Sequence, residues 1–301
     1  MASHQEMRAN PRTLRVFAAA KINLFLHVGE RRSDGYHDLE SLVAFADVGD
    51  ELLFTDSVES RLNIRGPFAD GLAGDESNLV SRAAVAMSKR FGPARGAHIT
   101  LEKNLPVASG IGGGSADAAA TLRGLSQLWG TNADMTTLRE IAESLGSDVP
   151  VCLASVPSWM EGRGERLTAI PNLPGLSMVL VNPAVAISTS EVFAALKQRR
   201  GVGIRRPSSF ATVDALLEFL QATTNDLEPP AAAAVPMIKE ALEALRNTVG
   251  VGLARMSGSG ATSFALYKDT AHASAAVSAL NRAKSKWWVR KASFYSLNAN
   301  Q

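Results

Sequence analysis

Four glycines fall within five positions, Gly110, Gly112, Gly113 and Gly114, inside the run Leu105-Pro-Val-Ala-Ser-Gly-Ile-Gly-Gly-Gly-Ser-Ala-Asp-Ala-Ala-Ala120. Backbone without Cβ atoms can bring its N–H groups close to a ligand. The strong helix formers from Ala118 to Leu125 put a helix directly behind the loop. Free N–H groups at the positive end of a helix dipole make an anion site, and phosphate is its usual occupant. Ser115 and Asp117 are expected to cap that helix. No Gly-Lys-Ser/Thr follows, which excludes a Walker A loop. Ser115 stands where the third glycine of a dinucleotide fingerprint belongs, and no acidic residue closes a following strand. His-Arg-Asp and Asp-Phe-Gly of protein kinases are absent. The bland alternative is a flexible turn before a helix.

Other positions could complete such a site. Lys21 and Asn23 alternate with Ile22, Leu24, Leu26 and Val28, so period two puts them on one face of a strand. Lys21 is either a charge that stabilises an incipient alkoxide or a solvated strand lysine. Asp148, in Gly146-Ser-Asp-Val-Pro-Val151, is either a general base or the N-cap of a helix that Asp-Val-Pro opens well; the residues alone leave both open. Lys103 ends a strand just before the loop, suited to phosphate or ribose, or simply a surface charge. Tyr36 and His37 follow the Asp34-Gly35 turn and are expected to be exposed, where stacking and edge hydrogen bonds read a base outside a duplex.

The elements that must position these residues alternate between helix and strand, which makes the class mixed α and β. Residues 14–28 read as a strand or bent strand pair. Residues 39–46 and 51–55 read as strands on either side of a turn at Asp47-Val-Gly-Asp50, and 61–65 and 98–102 as further strands. A helix starts at Ser77-Asn78, the loop helix runs to about Trp129, and another runs from an Asp134 N-cap to Gly146. The second half predicts strands 176–181, 251–256, 262–267 and 286–295. Its helices are expected near 190–199, 208–222, 236–247 and 270–283. Pro171, Pro174 and the 200–207 stretch read as punctuation.

The chain has 301 residues, of which 46% are hydrophobic and 20% charged, with a formal net charge of +2. That balance argues for a globular enzyme and against nucleic acid or membrane as partner. The basic cluster Lys197, Arg199, Arg200, Arg205 and Arg206 reads as a solvated loop beside a helix. Cys152, the single cysteine, lies in an apolar run and reads as a buried small hydrophobe, consistent with a reducing cytoplasm. The polar residues Met1 to Arg12 carry no secretory signal, and no apolar run approaches the ~18 residues of a membrane span. His4, His27, His98 and His272 form no visible constellation, and no metal-ligand spacing occurs.

Taken together, Pro106-x-x-Ser-Gly-Ile-Gly-Gly-Gly-Ser-Ala-Asp-Ala-Ala resembles the phosphate loop of the GHMP kinases, which phosphorylate small alcohols such as galactose, homoserine and mevalonate. Ala20-Lys-Ile-Asn-Leu-Phe-Leu26 is similar to the first motif of that family, and Met256-Ser-Gly-Ser-Gly-Ala-Thr-Ser-Phe264 to its third. The departures are Ala116, where many members carry a second serine, and Ala19, where they often carry proline. The resemblance implies an α+β, two-domain GHMP kinase fold with the active site in the interdomain cleft. It places an ATP-binding N-terminal domain over 1–160, completed by the last strand near 286–295, and a C-terminal domain over 161–285. It further implies ATP as donor, with Mg²⁺ held largely by phosphates and water rather than by a protein cage. Asn78, Lys103, Pro106, Gly110, Gly112, Gly113, Gly114 and Ser115 are implied for the nucleotide, and Gly258, Ser259 and Gly260 for the phosphoryl path. Lys21 and Asp148 are implied for catalysis, with Asn23 on the acceptor. The Asp34-Gly-Tyr-His-Asp-Leu39 element resembles the branch whose small-molecule acceptor carries a cytidine diphosphate group. Tyr36 and His37 would hold the base there, Phe193 would add an aromatic wall, and Thr189 lies beside it. Phe193 has an equal claim as part of its helix's apolar stripe. The competing readings are another GHMP kinase and a catalytically silent nucleotide-binding relative.

Overall fold

The computed structural model describes residues 12–92, 95–131, 133–170 and 173–297. The readings for residues 1–11, His4 among them, and for Pro171 fall outside the described residues.

Two long strands, β1 (Thr13–Arg31) and β2 (His37–Ser57), pair antiparallel over most of their length. β3 (Arg61–Arg65) lies parallel to β4 (Gly96–Glu102), which pairs with the far end of β2. Between them runs α1 (Leu79–Phe91), started by the Asn78 side chain accepting from Val80 N and closed with Lys89 and Arg90 in its last turn. After the glycine loop come α2 (Gly113–Trp129) and α3 (Met135–Leu145), the latter capped by Asp134, as its spacing predicts. A short α4 (Val149–Ala154) leads to the hairpin β5 (Ser158–Gly162) and β6 (Arg166–Ala169), with β5 paired to β2. The expected boundary at residue 160 therefore falls inside a strand of this hairpin.

The second half begins with β7 (Ser177–Asn182) and the helices α5 (Thr189–Ala194), α6 (Val213–Gln221), α7 (Glu228–Ala234) and α8 (Pro236–Arg246). It ends with β8 (Val251–Met256), β9 (Ser263–Tyr267), α9 (Thr270–Ala283) and β10 (Trp288–Tyr295). Most of β10 ladders to β7, while its last residues, Phe294 and Tyr295, pair with Ala46 and Phe45 of β2. The strand joins the two halves into one sheet of order β3-β4-β2-β10-β7-β9-β8.

Three local expectations are corrected. The segment Asp47–Asp50 is no turn: β2 runs straight through it, and the extra residues are absorbed as a bulge where Ala19 pairs with Gly49 and Ala20 with Ala46. Gly49 is required there, since a Cβ would lie 2.2 Å from the Ala18 carbonyl oxygen. The helices expected at 190–199 and 208–222 are shorter, α5 ending at Ala194 and α6 starting at Val213. The intervening chain is held instead by buried carboxylates: Glu40 accepts from Gly203 N and Ile204 N, and Asp226 from Arg200 N. Helix α7 and the β5–β6 hairpin carried too few periodic residues to be read.

The small side chains of α2, Ala116 and Ala118 to Ala120, bury completely or nearly so against β1 and β2. Leu52, Phe54, Val80, Met87, Leu122 and Leu125 fill that layer. The opposite face of β1 packs Ile22, Leu24 and Phe25 into the core of the second half. A strand buried on both faces keeps Lys21 and Asn23 out of bulk water, against the one-sided reading of its alternation.

Candidate active site

The glycine loop sits between β1 and the turn that joins β8 to β9. Gly110 has φ +75°, and a Cβ on it would lie 2.5 Å from the Ser257 carbonyl oxygen and 2.7 Å from Gly260 N. Gly112 has φ +64°, and its Cβ would meet the Lys21 side chain at 3.1 Å. The loop is tied on both sides: Lys21 N donates to Ile111 O (2.9 Å), Thr262 N to Ser109 O (3.0 Å) and Ser257 Oγ to Gly110 O (3.0 Å).

Neither Ser115 nor Asp117 caps α2. Gly112 is the N-cap, and no side chain satisfies the first turn among the described residues. The N–H groups of Gly113, Gly114 and Ser115 are thus left for a ligand. These residues, with Pro106 and Gly110, line one wall of a cavity of about 450 Å³. Asn78 reaches the same cavity, yet its amide serves the fold, Oδ1 capping α1 and Nδ2 donating to Ala73 O.

Beneath this wall Lys103 is buried and bonded to two carboxylates, 2.6 Å from Asp50 Oδ2 and 2.6 Å from Asp117 Oδ2. Asp50 Oδ1 also accepts from Asn104 N and Leu105 N. Burial alone would lower the lysine, but the two carboxylates outweigh it and Lys103 is raised. Asp117 is pushed up to about 8 by burial, with Lys103 opposing and Asp50 reinforcing. Bonded into this triad, Lys103 also lines the cavity and lies directly behind the loop, where a Cβ on Gly113 would be 3.2 Å from its Nζ. Sequence reasoning missed Asp50, which the β2 bulge delivers from an apparent turn.

In the same cavity, against Gly112, Lys21 Nζ donates to Asp148 Oδ2 at 2.8 Å. Asp148 precedes α4 but its side chain makes no capping bond to that helix. Between the two roles its residues leave open, the geometry favours the one facing Lys21. Asn23 lines the cavity, donates from Nδ2 to Ser41 Oγ (2.8 Å), and its buried Oδ1 has no partner among the described residues. Thr189, which opens α5, and Phe193, near its end, also line the cavity, with Thr189 Oγ1 2.8 Å from Ser259 Oγ.

At the rim, the Asp34-Gly35 turn presents Tyr36 with 55% of its surface exposed. His37 stacks on Phe193 with ring centroids 5.3 Å apart and planes 21° from parallel. That spacing leaves no room for a third ring between them, so a base must stack on an outer face or part the pair. Tyr36 lines an adjoining groove, and Arg163, whose guanidinium lies 5.3 Å from the Tyr36 ring centroid, lines both spaces. Arg163 was not legible beforehand, because a single arginine in Gly162-Arg-Gly164 carries no pattern. Cys152 is buried and its thiol pushed up to about 12 by burial, so it is inert, as its apolar neighbours suggest. Among the described residues no cluster of three or more His, Cys, Asp or Glu could hold a metal, and no helix is long and apolar enough to cross a membrane.

The models of the GHMP kinase N-terminal and C-terminal domains match residues 78–155 and 192–286. The chain belongs to the GHMP kinase family, and it is a small-molecule phosphotransferase. Within the family it is similar to the 4-diphosphocytidyl-2-C-methyl-D-erythritol kinases. The protein of that name from Parvibaculum lavamentivorans is 48% identical over 275 residues, covering 90% of this chain and 95% of the relative. A solved 4-(cytidine 5'-diphospho)-2C-methyl-D-erythritol kinase superposes with a TM-score of 0.77 at 34% identity, covering 94% of this chain and all of that one. The homoserine kinase of Cytophaga hutchinsonii superposes at 0.68 with 19% identity, covering 98% of each chain, which is a likeness of fold alone.

Proposed function

We propose that this chain transfers the γ-phosphoryl group of ATP to the 2-hydroxyl of 4-diphosphocytidyl-2-C-methyl-D-erythritol, a step of the methylerythritol phosphate route to isoprenoid precursors. The observation that carries the chemistry is the Lys21–Asp148 pair, 2.8 Å apart, in the same cavity as the uncapped start of α2. The donor's phosphates lie on the N–H groups of Gly113, Gly114 and Ser115, at the end of a loop that Gly110 lets pack directly against the backbone of Ser257 and Gly260. The residues fit a nucleotide, and they fit Mg²⁺ held by phosphates and water; bound there, the ion neutralises charge on the phosphates.

The acceptor hydroxyl lies between Asp148 and the phosphate loop. Asp148 takes its proton as the oxygen bonds to phosphorus and the β–γ bond breaks to leave ADP. Lys21 holds Asp148 through its 2.8 Å hydrogen bond and stabilises negative charge on the attacking oxygen. Asn23 Oδ1, without a partner among the described residues, orients the acceptor by accepting a hydrogen bond from one of its hydroxyls. In a loose transition state the proton moves late, so these groups act mainly by position and charge.

The specificity reading rests on Phe193 and Arg163, which line the cavity, on His37 stacked against Phe193, and on Tyr36 beside Arg163 in the adjoining groove. Homoserine, mevalonate and galactose offer no base for them to stack on. The test is incubation with Mg-ATP and each acceptor separately, following ADP release and identifying products by mass spectrometry. Phosphorylation confined to the cytidine compound is expected. Turnover of one of the others instead, or of none, overturns the assignment.

A further inference from the structure

The edge of β1 that faces away from β2 must satisfy its N–H groups elsewhere, and the glycine loop and the second half of the chain supply the partners. Lys21 N donates to Ile111 O of the glycine loop (2.9 Å), and Leu26 N to Thr224 O (3.0 Å). Between them, Asn23 N donates at 3.1 Å to a side chain, the hydroxyl of Ser257. The same hydroxyl donates onward to Gly110 O at 3.0 Å. Ser257 is fully buried in the turn after β8, its own N–H bonded to Thr262 O and its carbonyl oxygen to Gly260 N.

One oxygen atom thus bridges the strand that carries Lys21 and Asn23 to the loop that cradles the donor. It accepts from one and donates to the other, so both bonds are lost together if it is removed. The turn that holds it is anchored independently: Asn225 Nδ2 donates to Met256 O and to Gly258 O, both at 2.8 Å. The backbone of Ser257 is therefore fixed whatever its side chain, and the hydroxyl is left to set the spacing of the two reacting halves.

We infer that Ser257 is a positioning residue for phosphoryl transfer, its hydroxyl fixing the acceptor strand against the donor loop. It touches neither substrate. Its effect is on the approach of the acceptor oxygen to phosphorus, where a misplacement of about 1 Å costs roughly 10²-fold in rate. The inference needs only an acceptor beside Lys21 and a donor on the glycine loop, so it holds for whichever GHMP acceptor the wild-type enzyme phosphorylates.

The test compares wild type with Ser257→Ala on the acceptor that wild type turns over, measuring kcat, both KM values and ATP hydrolysis in the absence of acceptor. Wild-type turnover is recorded first, so a wrong acceptor assignment is recognised before the variant is read. The expected result is a fall in kcat of about 10- to 100-fold with both KM values within about threefold. Acceptor phosphorylation should fall more than ATP hydrolysis, because water does not depend on the placement of β1. Equal losses in both reactions would mean that Ser257 only supports the fold and would overturn the inference, as would an unchanged kcat. Should Ser257→Ala fail to fold, Ser257→Cys fills the same space with a weaker donor and acceptor. Its expected kcat is depressed with the same excess loss of acceptor phosphorylation over hydrolysis. A wild-type ratio of the two rates in that variant would also overturn the inference.

Discussion

Lys21 Nζ lies 2.8 Å from Asp148 Oδ2, with the lysine side chain 5% exposed and the carboxylate 35% exposed. The carboxylate keeps one side open to the cavity while the other is held by a buried cation. That asymmetry suits a group that must meet a substrate hydroxyl while its position is fixed. Asp148→Asn is expected to lower kcat by roughly 10²–10⁴ with little change in the KM for ATP. Steady-state kinetics checks it, and turnover at the wild-type rate would return Asp148 to a structural role.

Stacking of a base on an aromatic side chain is worth about 1–3 kcal/mol. Phe193→Ala and Tyr36→Ala should each raise the KM for the cytidine acceptor by roughly 5- to 100-fold and leave that for ATP nearly unchanged. A comparable rise for both substrates would remove the base-binding role from this rim.

His37 is held below the ordinary imidazole value of 6.5 by burial first, then by Arg199 and Arg31. The neutral form therefore predominates at pH 6.5 and above. The acceptor KM should accordingly be flat from pH 8 to 6.5 and rise only below. A titration of KM centred at or above 6.5 would contradict this.

Gly110 combines a left-handed backbone with backbone atoms at 2.5 and 2.7 Å from any added Cβ, and no flexible side chain is there to yield. Gly110→Ala should abolish measurable ATP binding in calorimetry while the far-UV circular dichroism stays near wild type. Gly175→Ala is the control, since nothing lies within 4 Å of a Cβ there.

Asp117 holds its proton up to about 8 in the folded chain, against an ordinary value of 3.8. An acid that binds its proton more tightly when folded contributes fully below the unfolded value, and that contribution is lost as pH rises towards the folded one. Stability from this group should therefore decline across that window. Urea unfolding at several pH values should show the decline in wild type and a flatter profile in Asp117→Asn, whose side chain cannot ionise. Identical profiles would place the proton elsewhere in the triad with Lys103 and Asp50.

What the sequence determined by itself was local. The glycine loop at residues 110–114 with a helix behind it was legible from residue types, and the Asn78 and Asp134 caps follow from side chains that bond within three residues. The strands at 61–65 and 98–102 were legible from alternation for the same reason. Tertiary structure decided everything that depends on distance between remote segments. Whether Asp148 caps a helix or faces a lysine depends on a residue 127 positions away. Asp50 looked like a turn residue until the β2 bulge set it beside Lys103, 53 positions on. Ser257 meets Asn23 across 234 positions and Gly110 across 147. Propensity and capping act over a few residues of backbone, whereas these contacts exist only once remote strands and loops have packed together and fixed where each side chain ends.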